Sequence, residues 1–171
     1  QAANSLFAGG SQRLSANLLI SQARVSFTSP LPMRLLPQIE SLPGVDQVSW
    51  SQFFGGIYKD EKNFFPQFAV DPDRWIKTFK ECHLPEQQAA AWKSSRTAVI
   101  AGRQLADRFG WKVGEPIPLL SQIWPLKNGS RAWNFELAGI FDDATAGSCP
   151  RMSNLYLRYD YFDEARQFGQ G

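Results

Sequence analysis

Residues 50–72 read WSQFFGGIYKDEKNFFPQFAVDP. Trp50, Phe53, Phe54, Tyr58, Phe64, Phe65 and Phe68 surround a Gly55-Gly56 pair and the charge cluster Lys59-Asp60-Glu61-Lys62. Aromatic residues make up 13% of the chain, and seven in these 23 positions is more than twice that density. Such density belongs to a core, whereas glycine pairs and charge runs belong to surface loops. Two readings therefore compete. One is a surface that meets a partner or ligand; the other is a seam where two structural units pack.

Outward from this stretch the elements alternate. Towards the N-terminus, Val45 to Trp50 reads as a strand. Before it, Leu35, Leu36, Ile39 and Leu42 recur at helical spacing, ended by Pro43-Gly44. Pro37 fits such a helix only in its first turn. Arg13 to Phe27 holds short apolar pieces that read as extended chain, so 13–50 has a strand–helix–strand shape whose helix would cover one face of a sheet. Residues 1–12 read as a polar lead-in. In the other direction, Asp71 is placed to cap a helix with Pro72 at its first position, and Trp75, Ile76 and Phe79 share its face. A second helix opens after Pro85. Thr97 to Ala101 is a buried strand, and 102–109 is a short helix stopped by Gly110. Two apolar arms, 116–126 and 131–141, flank Asn128-Gly129, the strongest short hairpin signal. In the second arm Trp133, Phe135, Leu137 and Gly139 fall on one face. Ser153 to Tyr159 is a last strand, and Asp160 is placed to cap a final helix.

Composition narrows the function classes. Eighteen basic against sixteen acidic residues leave a formal charge of +2, too small to argue for nucleic acid. Apolar runs fall far short of the ~20 residues of a membrane span, and 1–12 lacks the pattern of a signal peptide. There is neither a G-x-x-x-x-G-K-[ST] nor a G-x-G-x-x-G segment. The single histidine, His83, adjoins Cys82 and has no second Cys/His pair to complete a metal site. No nucleophile elbow is present. The carboxylate pairs Asp60/Glu61, Asp71/Asp73 and Asp142/Asp143 read as solvated or capping groups. A hydrolase built on Asp60, Glu61 or Asp142 would need two of them converging in a cleft. We therefore expect no catalytic residue, no cofactor and no metal, and an α+β domain that is not an enzyme. Whether Cys82 and Cys149 pair cannot be read from sequence; two free, part-buried thiols are the expectation.

The order of segments carries a resemblance. Residues 31–50, LPMRLLPQIESLPGVDQVSW, resemble the L-P-x-x-x-x-x-x-I-x-x-L-P-G-V-x-x-V-S segment that opens the periplasmic core domain of MacB-like, FtsX-like ABC transporter permeases. Residues 98–119, AVIAGRQLADRFGWKVGEPIPL, are similar to a later segment of that family, and 134–141, NFELAGIF, to a closing strand. The match runs over about 13–159. It implies a Porter-like α/β subdomain, 13–70 plus 150–171, with an inserted β-rich Sabre-like subdomain, 71–149. It also implies a location on the periplasmic side of the bacterial inner membrane and a dimeric full-length permease. Its expected partners are a cytoplasmic ABC ATPase subunit and a periplasmic client or adaptor protein. The domain itself would relay ATP-driven motion without catalysis. The aromatic stretch is longer here than in the family, and the final strand and helix leave the second strand–helix–strand of a Porter-like unit incomplete. On this reading Trp50, Phe53, Phe54, Tyr58, Phe64 and Phe65 form a seam near the crossing into the inserted unit, with Lys59–Lys62 as its solvated tip. The alternative is a free-standing peptide- or lipid-binding module that uses 50–72 as its surface.

Overall fold

A computed structural model of the chain describes residues 18–22, 31–143 and 149–167. The expected lead-in 1–12 and most of the expected first strand, 13–17 and 23–27, lie outside the described residues. The fold is α+β, built on a mixed eight-stranded sheet. The strands are β1 (Ser51–Phe53), β2 (Gly56–Ile57), β3 (Gln67–Val70), β4 (Cys82–His83), β5 (Ala98–Gly102), β6 (Pro116–Ser121), β7 (Ala132–Asp143) and β8 (Leu155–Arg158). The helices are α1 (Leu36–Glu40), α2 (Pro72–Thr78), α3 (Glu86–Ser94), α4 (Arg103–Phe109) and α5 (Tyr159–Ala165). Seven strands run in the order β1-β3-β8-β5-β7-β6-β2, and β4 pairs with β7 off that path. The pairs β3–β8 and β5–β7 are parallel; the rest are antiparallel.

This order forces the sheet to curl. Its two edge strands, β1 and β2, are joined by Phe54-Gly55 alone. Three Cα steps from Phe53 to Gly56 reach at most ~11 Å. Six flat inter-strand spacings of about 4.8 Å would separate the edges by ~29 Å. The edges meet only because the sheet wraps round.

The wrapped sheet has two packed faces. On the inner face Ala69, Val99, Ala101, Leu137, Leu155 and Leu157 meet Leu105 and Ala106 of α4 and Phe162 of α5. On the outer face Val70, Ala98, Ile100, Phe141 and Tyr156 meet Trp75 of α2 and Trp92 of α3. Every residue of β5 is buried because both its faces are covered. Strands from 13–70 and 150–171 and strands from 71–149 belong to this one sheet, joined through β8–β5 and β2–β6.

Local expectations hold where the signal is local. Asp71 Oδ1 accepts the Arg74 N–H at 2.9 Å and caps α2, with Pro72 in the first turn. Gly110 takes a left-handed conformation (φ 67°) and closes α4. Pro37 does lie in the first turn of α1.

Four expectations need correction. First, the helix near 35–42 is only a five-residue α1 after a 3-10 turn at Met33–Leu35, and it buries no residue, so it covers no face of the sheet. Second, Val45 to Trp50 joins no strand; the carbonyl of Val48 is taken by the Arg74 side chain instead of a ladder. Third, α5 begins at Tyr159, which puts Asp160 inside its first turn rather than at its cap. Fourth, Cys82 and Cys149 are joined in a disulfide.

In the hairpin, Gly129 has φ 83° and Ser130 N–H bonds Asn128 Oδ1, as the turn signal requires. The ladder, however, runs only from Pro116↔Glu136 to Leu120↔Ala132. Residues 122–130 fold over as a loop that reaches α5 and the β1 edge. In β7 the register slips by one between Val99↔Leu137 and Ile100↔Gly139. Trp133, Phe135 and Leu137 face inwards, but Gly139 turns out against Leu84 and Gln88. Gln88 Oε1 accepts the Ile140 N–H at 2.9 Å there. A bulge thus reverses the alternation that the sequence pattern extends through Gly139.

Candidate functional site

The aromatic stretch crosses the line where the curled sheet closes. Gln67, fully buried on the inner face of β3, spans that line. Its Nε2 donates to the Gly56 carbonyl at 2.8 Å, and its Oε1 accepts the Gly56 N–H at 2.6 Å. A side-chain amide thus stands in for a missing strand neighbour of β2. The Phe54 N–H continues the β1–β3 ladder by donating to the Gln67 carbonyl at 2.9 Å. From the 122–130 loop, Trp124 Nε1 donates to the Phe53 carbonyl at 3.0 Å. Both edges are closed by side chains.

The six singled-out aromatics divide by direction. Phe54 fills the inner face, edge-on to Trp133, Phe135 and Phe162. Tyr58 and Phe65 are buried beside Phe109 and Trp111 at the end of α4. The Trp111 Nε1 donates to the Tyr58 hydroxyl at 3.1 Å. Trp50 is half-buried, under the Arg74 guanidinium at 4.9 Å and edge-on to Tyr159. Phe53 is half-buried on the outer side, paired with Phe68. Phe64 alone of the six is exposed, at 57%. The Lys59–Lys62 turn is exposed, and Lys59 has φ 61°.

A shallow groove of about 400 Å³ lies over this closure, lined by Phe53, Gly55, Gly56, Ile57, Phe64 and Ile123, with Glu61 and Gln122 at its polar side. A second groove of about 420 Å³ lies between α2 and 45–48. Glu40, Asp46, Asp71 and Asp73 line it with Arg74 and Lys77. Arg74 is engaged there by Glu40, the Val48 carbonyl and the Trp50 ring, and Lys93 pairs with Asp73. That groove is a clamp holding 40–50 to the body.

The carboxylates considered for hydrolysis lie on separate elements. Asp60 and Glu61 sit on the exposed turn between β2 and β3, whereas Asp142, near the end of β7, pairs with Arg103. His83 is exposed on β4. Among the described residues no three His, Cys, Asp or Glu side chains could share a metal ion. Asp160 is held below the usual carboxylate range by its hydrogen bond from Arg158. Burial pushes the Tyr156 hydroxyl up to about 12, opposed by the hydrogen bond from Asn154.

Sequence reasoning missed Gln67, Trp124 and Ile123. A lone glutamine inside the apolar run FPQFAV was the signal available for the first. Nothing local marks the other two, which come from beyond β6.

No protein-family model matches the chain, and no curated protein does. Among solved structures, it aligns with a domain of a protein described as a permease, from Porphyromonas gingivalis, at 19% identity and a TM-score of 0.47. The alignment covers 73% of this chain and 56% of that one, so the chain spans little more than half of its length. Among the described residues no helix is long and apolar enough to cross a membrane.

Proposed function

We propose that the chain is an extracytoplasmic domain of an ABC transporter permease, a non-catalytic module that binds a periplasmic partner and relays ATP-driven motion to it. The family part rests on the ordered resemblance of 31–50, 98–119 and 134–141. Two of these three segments form the contiguous β5–α4–β6 unit and the β7 strand beside it.

The observation that carries the location is the disulfide between Cys82 and Cys149. Disulfides persist in oxidising compartments and are rare where thioredoxin and glutathione keep thiols reduced. On this reading 13–70 with 150–171 form the Porter-like unit and 71–149 the inserted one, and nucleotide hydrolysis belongs to a separate cytoplasmic subunit. The exposed groove at Phe64 favours a second reading, a free-standing binding module.

Detergent-solubilised full-length parent protein, affinity-purified, separates the two. The permease reading expects a membrane protein that co-purifies with a nucleotide-binding subunit. A parent protein recovered in the soluble fraction without an ATPase contradicts it and favours the binding module.

A further inference from the structure

We propose that residues 31–48 are a strap latched to the body of the domain by one side chain, Arg74, and that release of Arg74 lets the strap swing away about a pivot at 49–50. On the permease reading, 31–50 resembles the segment that opens the periplasmic core domain, which makes the latch a joint in the relay of motion. That cellular role rests on the permease reading; the latch itself does not.

Burial does not hold the strap. Every residue from 31 to 48 is exposed or at most half-buried, and none of them belongs to or packs against either apolar cluster of the sheet. The strap therefore lacks the apolar burial that fixes the other helices. Between 45–48 and α2 lies the groove of about 420 Å³, whose lining is polar or charged except for Val45 and Val48. The strap's backbone bonds stay within it. Ser41 N–H donates to the Pro37 carbonyl at 3.1 Å, Leu42 N–H to Ile39 at 3.2 Å and Val45 N–H to Leu42 at 3.1 Å. It can move without breaking a ladder.

Among the described residues, every hydrogen bond and ion pair joining 31–48 to the rest of the fold ends on Arg74. Its Nη1 donates to the Glu40 carboxylate of α1 and, at 3.1 Å, to the Val48 carbonyl. The same guanidinium lies over the Trp50 ring at 4.9 Å. The body side of the latch is fixed. Arg74 sits in the first turn of α2 with its N–H on the Asp71 cap, and the next residue, Trp75, is buried in the outer cluster. The pivot is fixed as well, by Trp50 edge-on to Tyr159 and by Ser51 paired with Val70. The Arg74 and Glu40 side chains are 30% and 38% exposed. Exposed ion pairs and cation–ring contacts are individually weak, so a latch made of them opens without unfolding the sheet. Lysine cannot replace it, because a point charge does not serve a carboxylate, a carbonyl and a ring face together.

The test is a spin-label distance measurement on the 171-residue chain. Both native cysteines are in the disulfide, so labels go only to introduced ones. One label pair, Ser41→Cys with Gln87→Cys, spans strap and body; a control pair, Gln87→Cys with Asn134→Cys, lies within the body. The expected result is a narrow distance for both pairs in the parent. Arg74→Gln should widen the strap–body distribution about twofold or more and leave the control pair unchanged. Arg74→Lys should widen it by less. A strap–body distance as narrow in Arg74→Gln as in the parent means that other contacts hold the strap, and overturns the proposal. So does a distribution already broad in the parent, or one that broadens equally for both pairs in Arg74→Gln, which makes Arg74 a residue of the fold as a whole. None of these outcomes depends on whether the parent protein fractionates with membranes, so failure here and failure of the permease reading are separable.

Discussion

The side-chain amide of Gln67 and the main chain of Gly56 exchange two hydrogen bonds across the line where the curled sheet closes. Gly56 has no room for anything larger. A Cβ there would lie 2.8 Å from Phe54 Cε1, 3.1 Å from Gln67 Oε1 and 3.1 Å from Leu119 Cβ. The amide and the glycine therefore belong together, one supplying a backbone-like partner and the other its access. Pro116 and Pro118 complete the picture. They supply no N–H on the side of β6 beyond the reach of two-residue β2, so the ladder cannot extend there.

Replacing Gln67 by alanine or leucine strands a buried N–H and a buried C=O on Gly56. Each unsatisfied group costs about 1–3 kcal/mol. We expect a loss of roughly 2–4 kcal/mol for Gln67→Leu, read from urea unfolding, with Gln67→Glu no better because a buried carboxylate cannot donate to the Gly56 carbonyl. A loss below about 0.5 kcal/mol would mean the closure does not depend on this pair.

Gly102 is the point where β5 turns into α4, and its conformation is ordinary for any residue (φ −69°). Space is what restricts it. A Cβ would stand 2.2 Å from the Met152 carbonyl oxygen, and that oxygen already accepts the Leu105 N–H at 3.0 Å. Backbone cannot swing aside as a side chain can. Gly102→Ala should cost about 3 kcal/mol or more. By contrast Gly129→Asn, in an open turn with φ 83° and nothing within 4 Å of a Cβ, should stay within about 1 kcal/mol of the parent. Thermal unfolding of the two variants gives the comparison.

Tyr156 makes the fold sensitive to alkali. Its hydroxyl titrates at about 12 in the folded chain, raised by burial, against about 10 when unfolded. The folded state holds the proton more tightly, so this contribution is complete below pH 10 and is lost as pH rises from 10 through 12. The fall should be up to ~3 kcal/mol. Tyr156→Phe should flatten it while costing some stability at pH 7, because Asn154 Nδ2 loses its acceptor. At the acid end Asp160 has the opposite sign. Its folded value is lowered by Arg158, so its contribution is present above the unfolded value near 4 and is lost as pH falls through the lower folded one. Chemical-shift titration of the Asp160 carboxylate with and without Arg158→Gln checks the direction.

Much of the fold was legible because its signals are local. The Asp71 cap, the Gly110 stop, the buried run of β5 and the Asn128-Gly129 turn each depend on residues within a few positions of one another. The strand order does not. That β1 and β2 are opposite edges joined by two residues follows from pairings between strands more than sixty residues apart, Gly56 with Ser121 and Gln67 with Leu155, and hydrophobic alternation is silent about partners. The same limit governs the aromatic stretch. Its density was plain, but strand parity runs only through Phe53 and resumes at Gln67. Which rings turn in (Phe54, Tyr58, Phe65) and which turns out (Phe64) is set by the link and the tip between. The β7 bulge broke alternation for a similar reason, since its register is held by Gln88 from α3. The Cys82–Cys149 bond, across a separation of 67 residues, is set by β4 pairing with the end of β7.

That bond gives the most direct measurement of the central claim, that this domain works outside the cytoplasm as part of a membrane protein. Cells making the full-length parent are quenched with acid and treated with a mass-tagged maleimide with and without prior reduction. Their membranes are then washed with carbonate. The account predicts that the protein stays in the washed membranes and that Cys82 and Cys149 accept the tag only after reduction. A protein released by the wash, or one whose two cysteines are tagged without reduction, contradicts it.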